Sequence, residues 1–178
     1  IKKNIPIKSG LGGGSSNATS ILKFLNTHWK LKKTRRQLAQ IASEIGMDCS
    51  FFVFGGTCLC THFGEIIEPL PPIKISENDI EIIFTGIEID TKEAYQSLHC
   101  RDAINRISTC NDCLQLIAGI KNAEPFQNLT KYFHNDFEES IFKKEEFLDF
   151  LNKNNLTTKN TKLCGSGGAI FKIPFFLP

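Results

Sequence analysis

No apolar run in this sequence approaches the ~18 residues that a bilayer-spanning helix requires, so a helical membrane protein is excluded and a soluble chain is expected. An excess of one charge is missing as well. The 21 Lys and Arg stand against 19 Asp and Glu, and apart from Lys30 to Arg36 no basic stripe forms, which argues against nucleic acid as a partner. That run reads as a solvated approach to a helix. Cysteines are present, seven of them, but the count is odd and the spacings do not repeat, so a disulfide scaffold is excluded and reduced, mostly buried thiols are expected. Cys110 and Cys113 form the one C-x-x-C. With no second Cys or His pair to complete four zinc ligands, they are expected to pack into the core from a helix. His28, His62, His99 and His134 also lack metal-ligand spacing, and neither internal repeats nor low-complexity tracts occur.

What is present suits a globular protein of one large domain or two small ones: 178 residues, 41% hydrophobic and 22% charged. Ile1, Ile5 and Ile7 alternate with polar residues and predict a strand, with Pro6 at its edge or end. "SGLGGGSSNA" follows. Ile21, Leu22, Leu25 and Trp29 then recur at helical spacing, with Ser15 or Ser16 as the cap. Thr34 and Gln37 form a capping box ahead of an apolar face of Leu38, Ile41, Ala42 and Ile45, and Gly46 stops that helix. Thr57–Phe63 and Ile66–Leu70 read as paired strands in which Cys58 and Cys60 share a face, and "PLPP" places a domain boundary near Pro72. Asp79–Phe84 reads as a strand, Asp90 with Glu93 as the cap of a short helix carrying Tyr95 and Leu98, and helical patterns run on to about Asn152. Thr161–Cys164 and Ala169–Ile173 then flank a second glycine turn, "GSGG".

A glycine loop opening a helix is suited to anions, because backbone N–H groups and the positive helix end converge on one point. The loop lacks the Gly-Lys-Ser/Thr of a P-loop, and Ser15 stands where a dinucleotide fingerprint needs glycine. A connector with a capping serine is the plainer alternative.

The stretch "IPIKSGLGGGSSNA" resembles the second motif of the GHMP kinases: a proline, a short spacer, then Gly-Leu-Gly-Gly/Ser-Ser-Ser-Ala. Its longer form, with three consecutive glycines and an asparagine, is most similar to the branch acting on 4-diphosphocytidyl-2-C-methylerythritol. "GMDCSFFVFGGTCLCTHFGEIIEPLP", "GIEIDTKEAY", "HNDFE" and "LCGSGGAIF" match further stretches of that branch in order, so the likeness covers nearly the whole chain. Ser50 stands where the family usually has proline, and Met47 where a small residue is usual.

The resemblance implies a two-domain α+β fold. Residues 1–72 would be the later part of the ATP-binding N-terminal domain and 73–178 the C-terminal domain, with nucleotide and substrate meeting between them. It further implies ATP-dependent phosphorylation of the acceptor's 2-hydroxyl, in the methylerythritol phosphate route to isoprenoid precursors. Pro6, Ile7, Lys8, Ser9, Gly10, Leu11, Gly12, Gly13, Gly14, Ser15 and Ser16 would wrap the ATP phosphates, with the Ser16 hydroxyl a magnesium contact. Asp48 would orient or deprotonate the hydroxyl; a turn or capping aspartate is its plain reading. Gly165, Ser166 and Gly167 would approach the phosphoryl group or the substrate diphosphate, or form only a hairpin turn. Tyr95 would stack on the cytosine of this cytidine diphosphate derivative, or be a half-buried helical tyrosine. Asn135 and Asp136 are expected to cap or brace the second domain.

The family's first motif, an Ala-Lys-x-Asn run whose lysine partners the catalytic aspartate, would lie ahead of Ile1, and a final helix and strand beyond the present end. The chain is therefore expected to be the middle and late part of a kinase. Another GHMP kinase, acting on a sugar, homoserine or mevalonate, is the near rival; a non-catalytic nucleotide-binding protein is the distant one. Cytosol is the default compartment, with a plastid the alternative where a transit segment was removed; oligomeric state stays open.

Overall fold

The structure, a computed structural model, describes residues 2–98 and 103–173, and the side chains of residues 103–110 fall outside that description. The readings made for Ile1, His99 and Cys110 therefore lie outside the described residues. The chain divides into two compact units, Gly12–Pro72 and Ile1–Leu11 with Ile73–Pro178.

In the first unit, α1 (Gly13–His28), α2 (Arg35–Ile45) and α3 (Met47–Phe54) precede an antiparallel hairpin of β1 (Cys58–Thr61) and β2 (Ile66–Pro69). Neither Ser15 nor Ser16 caps α1. Gly12 does so, in the left-handed conformation at φ 65° and without a side-chain bond, so the helix begins earlier and both serines fall inside its first turns. The capping box of α2 forms as read, with Gln37 N–H donating to Thr34 Oγ1 at 3.3 Å and Thr34 N–H donating to Gln37 Oε1 at 2.9 Å.

The apolar faces are narrower than the periodicity suggests. Leu38, Ala39, Ala42, Cys49 and Val53 form the core of this unit, with Ala18, Leu22 and Phe54 against it, whereas Ile21, Trp29, Ile41 and Ile45 are exposed. The reason is the small side chains where α2 meets α3. Ala39 and Ala42 let the helices close in, and the buried Ser50 donates its Oγ–H to the Ala39 carbonyl at 2.9 Å. Ser50 is thus satisfied where the family has proline. The flanking isoleucines are left outside that contact.

In the second unit, β3 (Glu81–Phe84), β4 (Thr161–Leu163) and β5 (Ala169–Lys172) form an antiparallel sheet in the order β3-β5-β4. Between β3 and β4 lie α4 (Thr91–Gln96), α5 (Ala103–Lys121), α6 (Phe126–Leu129), a 3₁₀ turn at Thr130–Tyr132, α7 (Glu138–Ile141) and α8 (Glu145–Lys153). The register sets Ile83 and Leu163 on either side of Ile170, and this row joins Phe147 and Leu151 of α8 in the core with Ile89, Ile141 and Phe142. Asp90 caps α4, accepting from Lys92 and Glu93 N–H at 2.8 and 3.1 Å. The helix ends at Gln96, so Leu98 lies beyond it.

The fold class is α+β, as read. Two further local expectations fail. Residues 2–8 carry no strand: Pro6 lacks an N–H, Lys8 turns left-handed at φ 59°, and no described strand offers them a ladder. Nor are the described thiols mostly buried. Cys49 and Cys164 are, Cys58 is partly so, and Cys60 and Cys113 are exposed, Cys113 because it faces an open cleft rather than the core.

Candidate active site

The nominated residues fall into two groups, one in each unit. Lys8–Leu11 lies with the Gly165–Gly168 turn, and the two meet backbone against backbone. A methyl group added at Gly10 would stand 1.8 Å from the Cys164 carbonyl oxygen, and one at Gly168 would stand 2.1 Å from that of Lys8. Only a residue without Cβ fits at either point. Ser9 is buried and its Oγ accepts from Leu11 N–H at 3.4 Å; Lys8 Nζ reaches Glu88 at 3.2 Å on the surface. Pro6 and Ile7 are exposed, with Ile7 at 68%.

The turn is held from behind. Thr85, buried after β3, donates N–H and Oγ1–H to the Gly168 carbonyl at 3.3 and 3.1 Å, and its Oγ1 accepts from Ile87 N–H at 3.1 Å. Asn135 donates from Nδ2 to the carbonyls of Leu163 and Gly165 at 3.0 and 2.8 Å while its Oδ1 accepts from Phe137 N–H at 3.0 Å. Asn135 therefore braces this unit. Ser166 Oγ pairs with Thr91 Oγ1 at 3.2 Å, tying the turn to the start of α4. Four residues on, Tyr95 is 62% exposed and packs edge-to-face on Phe137, with ring centroids 5.0 Å apart. Exposure at this level overturns the half-buried alternative. Thr85 carried no signal in the sequence, because a threonine at a strand end is unremarkable until its partner is known.

In the other unit, Gly12, Gly13, Gly14, Ser15 and Ser16 form the opening of α1. The Ser16 N–H donates to the Gly12 carbonyl at 2.9 Å, so by helix geometry the N–H groups of Gly13, Gly14 and Ser15 have no partner within the helix. No acidic side chain stands in that first turn, and nothing lies within 4 Å of where a Gly14 side chain would project. These features fit an anionic group such as a polyphosphate. Gly12 abuts the Phe52 ring of α3, and Thr19 donates Oγ1–H to the Cys49 carbonyl at 3.0 Å. Asp48, the neighbour of Cys49, is exposed in the first turn of α3. The Cys60 thiol is raised above its ordinary value, first by partial desolvation, then by Cys58 and by the Asp48 carboxylate, which puts Asp48 within electrostatic reach of β1.

Among the described residues no three His, Cys, Asp or Glu side chains are grouped to hold a metal ion, and no helix is long and apolar enough to cross a membrane. A cleft of about 520 Å³ is lined by Asp112, Cys113 and Leu116 of α5 with Tyr132, His134 and Phe171. Asn135 borders it, but none of the nominated binding or catalytic residues does.

A left-handed glycine thus opens a helix toward amides that have no partner within it, in an α+β chain with a second glycine turn. The model of the GHMP kinases N terminal domain matches residues 1–56 of this chain. The chain is similar to the 4-diphosphocytidyl-2-C-methyl-D-erythritol kinase of Thermosipho melanesiensis, 35% identical over 98% of this chain and 61% of that protein. It is also similar to that of Microcystis aeruginosa, 30% identical over 97% of this chain and 58% of that one. The chain thus spans about three-fifths of the curated relatives' length. A solved 4-(cytidine 5'-diphospho)-2C-methyl-D-erythritol kinase shares the fold at TM-score 0.65 and 23% identity, covering 97% of this chain and 59% of that one.

Proposed function

We propose that this chain belongs to an ATP-dependent kinase that phosphorylates the 2-hydroxyl of 4-diphosphocytidyl-2-C-methyl-D-erythritol, on the methylerythritol phosphate route to isoprenoid precursors. The observation that carries the reading is the similarity of nearly the whole chain to part of kinases of that name, joined to the anion-ready opening of α1. Residues 1–72 are read as the later part of the ATP-binding domain and 73–178 as the C-terminal domain.

Phosphoryl transfer needs placement and charge compensation more than covalent chemistry from the protein. Pro6 to Ser16 would wrap the phosphates of ATP, with the amides of Gly12 to Ser15 as donors, and the Ser16 hydroxyl would be a contact for magnesium. ATP with magnesium supplies the phosphoryl group and part of its charge neutralisation. Asp48, exposed and at the head of α3, orients the acceptor hydroxyl and takes its proton. Tyr95 offers an aromatic surface to the cytosine, and Gly165, Ser166 and Gly167 lie near the diphosphate.

The test is ATP consumption by the full-length protein with the cytidine substrate against homoserine, mevalonate and galactose. Activity with the first alone is expected, and preference for another acceptor overturns the reading. Asp48→Asn should lower turnover by about 10²- to 10⁴-fold with nucleotide affinity kept. Nucleotide binding without turnover by the unsubstituted protein would favour the non-catalytic alternative.

A further inference from the structure

We propose that Asn135 is a positioning residue that sets the Lys8–Leu11 segment and the Tyr95 platform together, so that one carboxamide couples the nucleotide and cytidine ends of the site proposed above. The inference rests on that reading, but its geometry stands apart from it.

The carboxamide of Asn135 uses both ends. Its Nδ2 donates to the Leu163 and Gly165 carbonyls at 3.0 and 2.8 Å, and its Oδ1 accepts from Phe137 N–H at 3.0 Å. A group that gives two N–H bonds and accepts a third at once must be an amide; a carboxylate there would face two carbonyl oxygens with no proton to offer.

From this point two chains of contact run outward. In one, the carbonyl of Gly165 is pinned in the turn whose backbone meets Gly10 at Cys164 and Gly165 and meets Lys8 at Gly168. These contacts join carbonyls to side-chain-free α-carbons, so no flexible side chain can absorb a shift of the turn, and the segment before Gly12 moves with it. In the other, the pinned N–H belongs to Phe137, whose ring meets Tyr95 edge-to-face at 5.0 Å. The Ser166 to Thr91 hydroxyl pair, at 3.2 Å, closes the circuit by joining the turn to the first residue of the helix that carries Tyr95. A residue that touched neither ligand would thus affect the binding of both.

The experiment is Asn135→Asp in the full-length protein, with Asn154→Ala as the control. Asn154 donates its Nδ2 to the Phe150 carbonyl at the end of α8, in the same unit, and has no part in either chain of contact. Two readouts are taken: KM for ATP and for the cytidine substrate beside kcat, and amide exchange over residues 8–11 and 163–168. For Asn135→Asp both KM values should rise by about tenfold or more, with exchange faster in both segments; Asn154→Ala should change neither.

Unchanged KM values overturn the proposal even if exchange quickens, since Asn135 would then be a brace only. Unchanged exchange overturns it even if KM rises, and so does an Asn154→Ala protein that behaves as the Asp variant does. If Asn135→Asp does not fold, Asn135→Ser carries the same two readouts without the added charge. A full-length protein that never uses the cytidine substrate refutes the kinase reading by itself, and the exchange measurement then still decides whether Asn135 holds both segments.

Discussion

The two glycine-rich stretches look alike as text, yet they use the absence of a side chain differently. Around Gly10, Gly165 and Gly168 the space is filled by other backbone, and a Cβ at Gly10 or Gly168 would meet a carbonyl oxygen at 1.8 or 2.1 Å. At Gly14, four residues further along the first stretch, there is nothing within 4 Å. The lesson is that one glycine motif can contain residues kept for packing, where an added side chain strains the fold, and residues kept for open space, where it does not.

Four experiments would sharpen or break that contrast. The largest effect is expected from Gly168→Ala, where a methyl group would press on the Lys8 carbonyl at a φ of 85°; a loss of about 3 kcal/mol or more in stability should appear in denaturant unfolding. A small loss would mean that the two stretches are not locked together. Next, Thr85→Val removes the hydroxyl shared by Gly168 and Ile87, leaving Ile87 N–H without that acceptor, and a loss of about 1–3 kcal/mol is expected in the same assay.

Gly14→Ala should act in the opposite direction. It lies inside α1, so alanine is expected to raise stability by roughly 0.5–1 kcal/mol, while nucleotide affinity falls because the added methyl group enters the space assigned to phosphate. Unaltered affinity would remove Gly14 from the proposed site.

The smallest effect concerns Cys164, whose carbonyl faces Gly10. Burial raises its thiol to about 11, so the folded chain keeps it protonated. Its contribution to stability is complete below the ordinary thiol value of about 8.5 and is lost as pH climbs through about 11. Peptide-resolved alkylation at pH 8 should therefore find Cys164 much slower than the exposed Cys113. Equal rates would show that the turn opens readily.

Much of the fold was legible where the chemistry is local. The Thr34 and Gln37 box, the Asp90 cap and the β1–β2 hairpin each depend on residues a few positions apart, and each formed as read. Burial was less legible. Helical spacing marks an apolar stripe on α1 and α2, but Ala39, Ala42 and Ser50 decide which part of α2 gains a neighbour, so Ile41 stays out. The alternation at Ile5 and Ile7 is a true pattern without a described partner strand, and Pro6 with Lys8 turned it aside. At the candidate site, the residue types of the first glycine stretch pointed to an anion, and the start of α1 supplies the free amides that reading needs.

By itself, then, the sequence determined where α2 and α4 begin, where turns fall and which family's motifs are present, because caps, glycines and motif spacing act over short separations. Tertiary structure alone decided that Lys8–Gly10 lies on the Gly165–Gly168 turn and that Asn135 ties that turn to Tyr95. The first of these contacts joins segments more than 150 residues apart through backbone atoms, and backbone atoms are the same at every position. Which carbonyl meets which α-carbon therefore leaves no pattern of side chains to read.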